Sequence, residues 1–207
     1  MQLTKTAAEF LAPLLESQGW KTSISDKVPE DYVDLDDFRT RKLNFSSGDC
    51  RLWYYTLVNL VLPMNMRRQI IKVDPDTSYR DKIILVRTSR YNNHFLDWNV
   101  LKPYQKDIIM LGLETEHNDF CREFFPVDYL KVNNALDIAE TMAGSKFIVG
   151  NQGGLFSIAE MMKTPRILTT AEFNVVEHNE KNYIIPRTMQ CDMPRREVRT
   201  SYYYTKV

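Results

Sequence analysis

Between Gly150 and Ser157 the chain reads Gly-Asn-Gln-Gly-Gly-Leu-Phe-Ser, placing side-chain amides, adjacent residues without a Cβ and a hydroxyl within one short stretch. If a strand ends at Gly150 and a helix opens at the glycines, several backbone N–H groups and the positive end of a helix dipole meet at the strand's carboxyl end. That arrangement suits a phosphate. Gly153 and Gly154 would let a diphosphate come close to the backbone, while Asn151, Gln152 and Ser157 add neutral hydrogen-bonding groups. The same residues also suit a tight strand-to-helix turn that binds nothing.

A second group with chemical potential is Arg87, Thr88, Ser89 and Arg90, followed by Tyr91 and Asn92. Arginines carry forked, permanently charged donors that can neutralise a leaving diphosphate, or they can pair with surface carboxylates. Gly112, Glu114 and Glu116 form a third group: carboxylates there can accept hydrogen bonds from ribose or sugar hydroxyls, or merely complement a helix dipole. In VPEDYVDLDDFR, Asp34 and Asp36 are candidate general bases, against the alternative of a solvated acidic loop. No metal site is expected.

These groups need elements to hold them. Leu136, Ile138, Ala139 and Met142 recur at helical spacing, Gly144 stops the helix, and Phe147, Ile148 and Val149 form an apolar run that reads as a buried strand. Leu155, Ile158, Ala159 and Met162 restore the helical period, and Pro165 precedes another strand at Arg166 to Thr169. The unit is βαβ, which implies a parallel sheet covered by helices. Lys82 to Val86 and Asp107 to Leu111 read as further buried strands, and Val127 to Val132 as a short one, with Asn133 as a helix N-cap. Because ligands in open α/β sheets sit outside the carboxyl ends of the strands, the loop at Arg87 and the turn at Gly153 are expected on one edge.

Leu3 to Gln18 reads as an amphipathic helix ending at Gly19, and Trp20 to Ile24 as a short strand. Ser46 to Leu62 reads as a buried helix, and Pro75 and Asp76 as a hinge. Asp97 to Tyr104 reads as a short helix and His117 to Phe125 as an amphipathic one. From Ala171 to Pro186 no clean period emerges, and the tail RREVRTSYYYTKV mixes basic and aromatic residues.

Lysine plus arginine equals aspartate plus glutamate, at 27 each, so no global field favours nucleic acid or an anionic membrane. Cys50, Cys121 and Cys191 are widely spaced and form no CxxC pair, which argues against a disulfide framework or zinc site and for a reducing compartment. His94, His117 and His178 show no metal-binding spacing. GxSxG, GxxxxGK[ST] and GxGxxG are all missing, so a serine-hydrolase elbow, a P-loop and the usual dinucleotide fingerprint have no support. No run has the apolar length of a membrane helix and MQLTKTAAEF is not laid out as a signal peptide, so a cytoplasmic protein is expected.

KIILVRTSRY, KDIIMLGLETEHNDF and ALDIAETMAGSKFIVGNQGGLFSIAEMMKTPRIL, taken in order over about Lys82 to Thr170, resemble the C-terminal half of GT-B glycosyltransferases, most of all the heptosyltransferase-like and related bacterial or phage proteins. The resemblance implies a Rossmann-like α/β domain over residues 76–207, preceded by a reduced, mainly helical acceptor-side segment over residues 1–75. It implies a nucleotide-sugar donor whose diphosphate lies at Gly150 to Glu160, transfer to an unidentified acceptor, and no metal or other cofactor. The shortened N-terminal part leaves room for a homo-oligomer or a completing subunit, and a catalytically silent binding or assembly module is the alternative.

Overall fold

A computed structural model of the chain describes residues 4–23, 69–89, 96–151, 153–170 and 182–186. Helix α1 spans Lys5–Ser17. Strand β1 is Ile83–Val86, and a 3-10 segment over Trp98–Asp107 leads into β2, Ile108–Leu111. Helix α2 is Glu114–Glu123, β3 is Asp128–Tyr129 and α3 is Ala135–Gly144. Strand β4, Phe147–Asn151, helix α4, Gly154–Met162, and strand β5, Arg166–Thr170, follow. Strand β6 is Asn182–Pro186.

The strands form one sheet in the order β3-β2-β1-β4-β5-β6, and every adjacent pair is parallel. Order therefore reverses between β1 and β4. Both are central and lie in register, with Ile84 opposite Ile148 and Val86 opposite Gly150. This is the Rossmann-like α/β arrangement expected from the sequence, and its topological switch point is where such sheets leave a crevice.

Side-chain alternation divides the sheet into two cores. On the front face, Ile84, Val86, Ile109, Leu111 and Ile148 pack with Leu14 of α1, Ile138 and Met142 of α3, and Phe156 and Ile158 of α4. On the back face, Ile83, Leu85, Ile108, Met110 and Val149 pack with Trp98, Phe120 and Phe125. β1 and β2 are buried along their whole length on both faces, which is why they read as unbroken apolar runs. Gly150 permits the closest approach in the sheet. A Cβ there would lie 2.1 Å from the Val86 carbonyl oxygen and 2.4 Å from its Cγ2, so any side chain would force β1 and β4 apart.

Helix α1 belongs to this front core rather than standing apart from it. The Thr4 hydroxyl caps its start by accepting from the Ala7 N–H at 3.2 Å. At its end, Gly19 (φ +82°) donates to the Glu16 carbonyl and Trp20 to the Leu15 carbonyl, which is the Schellman pattern. The Gln18 amide then brackets Lys72, accepting from its N–H and donating to its carbonyl, both at 2.8 Å. Residues 20–23 are irregular, not the strand the alternation suggested, because this cap turns the chain away.

One other expectation is corrected, and two segments are specified further. The N-cap of α3 is Asn134, whose side chain accepts from Leu136 and Asp137, one residue beyond the expected Asn133. The segment after Asp97 is a 3-10 helix, held at its start by the Asp97 carboxylate on the Asn99 N–H. The aperiodic stretch before Pro186 contains β6, paired with β5 from Arg166↔Asn182 to Thr170↔Pro186. The expected helix at residues 46–62 lies outside the described residues.

Candidate functional site

The first link between the two loops is an amide clasp. Asn151, at the end of β4, is 1% exposed; its Oδ1 accepts from the Thr88 N–H at 2.8 Å, and its Nδ2 donates to the Thr88 carbonyl at 2.5 Å. One side chain thus fixes the backbone of the residue two past β1, across a sequence separation of 63. Gly153 lies against the same residue: a Cβ on it would come within 2.9 Å of Thr88 Cγ2. The loops after β1 and β4 therefore converge on one edge of the sheet.

A second link comes from Glu116. Its Oε1 accepts from the Ser89 N–H at 3.1 Å, and its Oε2 accepts from the Leu113 N–H at 3.3 Å. The carboxylate closes the first turn of α2 in the manner of a capping box and ties it to the β1 loop. Tyr129 fastens β3 to the same edge, its hydroxyl donating to the Gly112 carbonyl at 3.1 Å.

Between these loops opens a cavity of about 700 Å³. Its polar rim includes Thr88, Glu116, Tyr129 and Asn151. Its walls are mostly apolar, from Val86, Leu111, Ile138, Leu155 and Phe156 of the sheet and helices, and from Phe10 of α1. Helix α4 starts at this cavity with Gly153, Gly154, Leu155 and Phe156 along the wall. Where Thr4, Glu116 and Asn134 supply acceptors at the starts of α1, α2 and α3, no side chain among the described residues caps α4. Its first internal bond is Ser157 N–H to the Gly153 carbonyl at 3.0 Å, so the N–H groups of Gly154, Leu155 and Phe156 have no partner within the helix. A Cβ on Gly154 would meet nothing within 4 Å, so the space beside the first turn is open.

Several residues singled out from the sequence thus gather at the cavity: Thr88, Gly112, Glu116, Asn151, Gly153 and Gly154 all line it. Ser89 adjoins it through its bond to Glu116, whereas Glu114 and Ser157 are not among its lining residues. The Ser157 hydroxyl donates back to the Gly153 carbonyl at 3.1 Å. Arg90, Gln152, Asp34 and Asp36 lie outside the described residues.

Arg87 takes a different course. It borders the cavity, but strand parity carries its side chain the opposite way from Val86, into the back core. Its guanidinium carbon lies 5.8 Å from the Phe120 ring centroid and 5.4 Å from that of Phe124, and Nη2 donates to Glu123 at 2.8 Å. The side chain is 7% exposed. In this position it braces α2 against β1, and its charge is directed away from the α4 start.

Thr4, Thr6, Ala7 and Phe10 of α1 also line the cavity, and sequence reasoning missed them. Nothing in the amphipathic pattern of α1 distinguishes an apolar residue facing a core from one facing a cavity beside that core. Among the described residues, no group of three or more histidines, cysteines, aspartates or glutamates could hold a metal ion, and no helix is long and apolar enough to cross a membrane.

No family model matches the chain, and no curated protein matches it. Among solved structures the chain is similar to the E. coli heptosyltransferase WaaC with ADP-2-deoxy-2-fluoro heptose, at 15% identity and a TM-score of 0.44. The likeness covers 65% of this chain and 47% of that one, so the chain spans about half the length of that protein.

Proposed function

We propose that this chain binds a nucleotide-diphosphate sugar at the carboxyl edge of its sheet and transfers the sugar to an acceptor hydroxyl. The observation that carries the reading is the uncapped start of α4, opening into the 700 Å³ cavity at the β1/β4 switch point. The N–H groups of Gly154, Leu155 and Phe156, which have no partner within the helix, and the helix dipole favour the diphosphate there. The Asn151 clasp on Thr88 fixes the opposite lip, and the cavity-lining Glu116 carboxylate takes the remaining task of accepting from ribose or sugar hydroxyls.

In the transfer, the acceptor oxygen bonds to the anomeric carbon as the bond from that carbon to the diphosphate oxygen breaks. The acceptor's proton passes to a base, with Asp34 or Asp36 as candidates, and the electron pair leaves on the nucleoside diphosphate. Dipole and N–H groups at α4 then stabilise the leaving anion as its charge develops.

A second reading is a catalytically silent binding module. It is favoured by the Arg87 guanidinium, which is committed to Glu123 and the back core instead of standing beside a leaving group. Calorimetric titration with UDP-, GDP- and ADP-glucose separates binding from no binding. Release of nucleoside diphosphate in the presence of candidate acceptors then separates transferase from module. Micromolar binding by wild type that Gly154→Val abolishes supports the site, whereas no binding at millimolar nucleotide sugar overturns it.

A further inference from the structure

Helix α1 is the part of the cavity that no motif accounts for. Its Phe10 ring is only partly buried against the front core, and it also borders the cavity, so part of an aromatic surface remains available to whatever enters. Thr6 and Ala7, one turn nearer the N-terminus, continue the same wall. The helix does not depend on this wall for its attachment: Leu14 is 2% exposed in the core, and Gln18 makes two hydrogen bonds to the Lys72 backbone.

Position decides what α1 could touch. It packs against α3, α3 packs against α4, and Ile138 in the first turn of α3 lines the cavity that residues of both flanking helices also line. Two such interaxial steps of about 8–10 Å each set an upper bound of roughly 16–20 Å on the separation of α1 and α4. Phe10 and the α4 start line the same cavity, so an extended ligand anchored by its phosphates at α4 has its remainder available to α1. The wall at α1 carries an aromatic ring, a methyl and neutral hydroxyls but no charged side chain, and suits a planar ring more than a charge.

We infer that the first two turns of α1 form the ring-binding wall of the site, with Phe10 packing on the base or sugar ring of a ligand whose phosphates lie at the start of α4. The inference rests on the nucleotide-sugar reading above, and it assigns to Phe10 a part in selecting the ligand that a phosphate site alone would lack. It also makes α1 an integral component of the binding site.

The test compares ADP-, UDP- and GDP-glucose with inorganic pyrophosphate, which has the anion and no ring, by calorimetric titration of the full chain. Phe10→Ala should bind its best nucleotide sugar about tenfold more weakly, the loss of roughly one ring contact, and pyrophosphate within about twofold of wild type. Phe10→Leu should fall between, and Gly154→Val should weaken both classes of ligand. Thermal melts check that each variant folds. If Phe10→Ala leaves nucleotide-sugar affinity unchanged while Gly154→Val lowers it, the role of α1 is wrong and the phosphate site stands. If Phe10→Ala weakens pyrophosphate as much as nucleotide sugar, its effect is on the fold and the inference is overturned. If wild type binds neither probe, both readings fall.

Discussion

Replacing Asn151 with leucine tests the clasp that organises the cavity. The side chain is buried and nearly the size of leucine, so the change removes hydrogen bonds with little change in volume. What is lost is an acceptor 2.8 Å from the Thr88 N–H and a donor 2.5 Å from the Thr88 carbonyl. Each bond contributes about 1 kcal/mol net and the Thr88 backbone is part-buried, so a loss of about 1–3 kcal/mol is expected. That is a large share of the roughly 5–15 kcal/mol typical of a folded domain. Asn151→Asp is the sharper companion: it keeps the acceptor for the N–H but sets a carboxylate oxygen against the Thr88 carbonyl, so it should also be destabilising. Urea denaturation followed by circular dichroism gives both values. A loss below about 0.5 kcal/mol in Asn151→Leu would show that the clasp does not fix the loop, and the geometry of the site would need another cause.

Three further outcomes follow from the packing. Gly150→Ala puts a methyl group 2.1 Å from a β1 carbonyl and should abolish soluble folded protein, while Gly154→Ala, with nothing within 4 Å, should fold with wild-type stability or a gain of up to about 1 kcal/mol; soluble yield and thermal melts separate the two. Glu160→Ala removes the carboxylate that accepts from Arg166, a side chain with 0% exposure, and should cost about 3–5 kcal/mol by denaturation, whereas Glu9→Ala, which breaks the exposed pair with Lys5, should cost under about 0.5 kcal/mol. The Ser78 hydroxyl, and then its N–H, hold the Asp76 carboxyl below the usual carboxylate range. Its folded pKa is therefore lower than its unfolded one, so its stabilising contribution is present above that range and is lost as pH falls through the folded value. The stability difference between wild type and Asp76→Asn should shrink on acidification, as melts between neutral and strongly acid pH would show.

The central βαβ unit was legible because its signals are local. Apolar runs at Ile148 and Ile84 are long enough to specify strands buried on both faces, and Leu136 to Met142 keeps a helical period up to Gly144. Strand β6 was not legible, because its place is set by pairing with β5 and its own sequence carries no period. The convergence of Thr88 with Gly153 followed from the rule for parallel sheets, but the Asn151 clasp that secures it depends on geometry that spacing does not encode. Arg87 shows a missed signal. Once Ile84 and Val86 are placed on one face, parity sends residue 87 to the other, and Phe120, Phe124 and Glu123 on α2 complete its surroundings. The α1 wall was invisible for the opposite reason: Phe10 fits an amphipathic helix equally well whether it faces side chains or a cavity.

The most direct test of the account is a titration of the ¹⁵N-labelled chain with ADP-, UDP- and GDP-glucose, followed by amide NMR. A ligand held at the α4 start should move the Gly153, Gly154, Leu155 and Phe156 amides first and furthest, with smaller shifts at Thr88 and at Phe10. Shifts confined to other parts of the chain, or none at millimolar ligand, would contradict a phosphate site at the switch point.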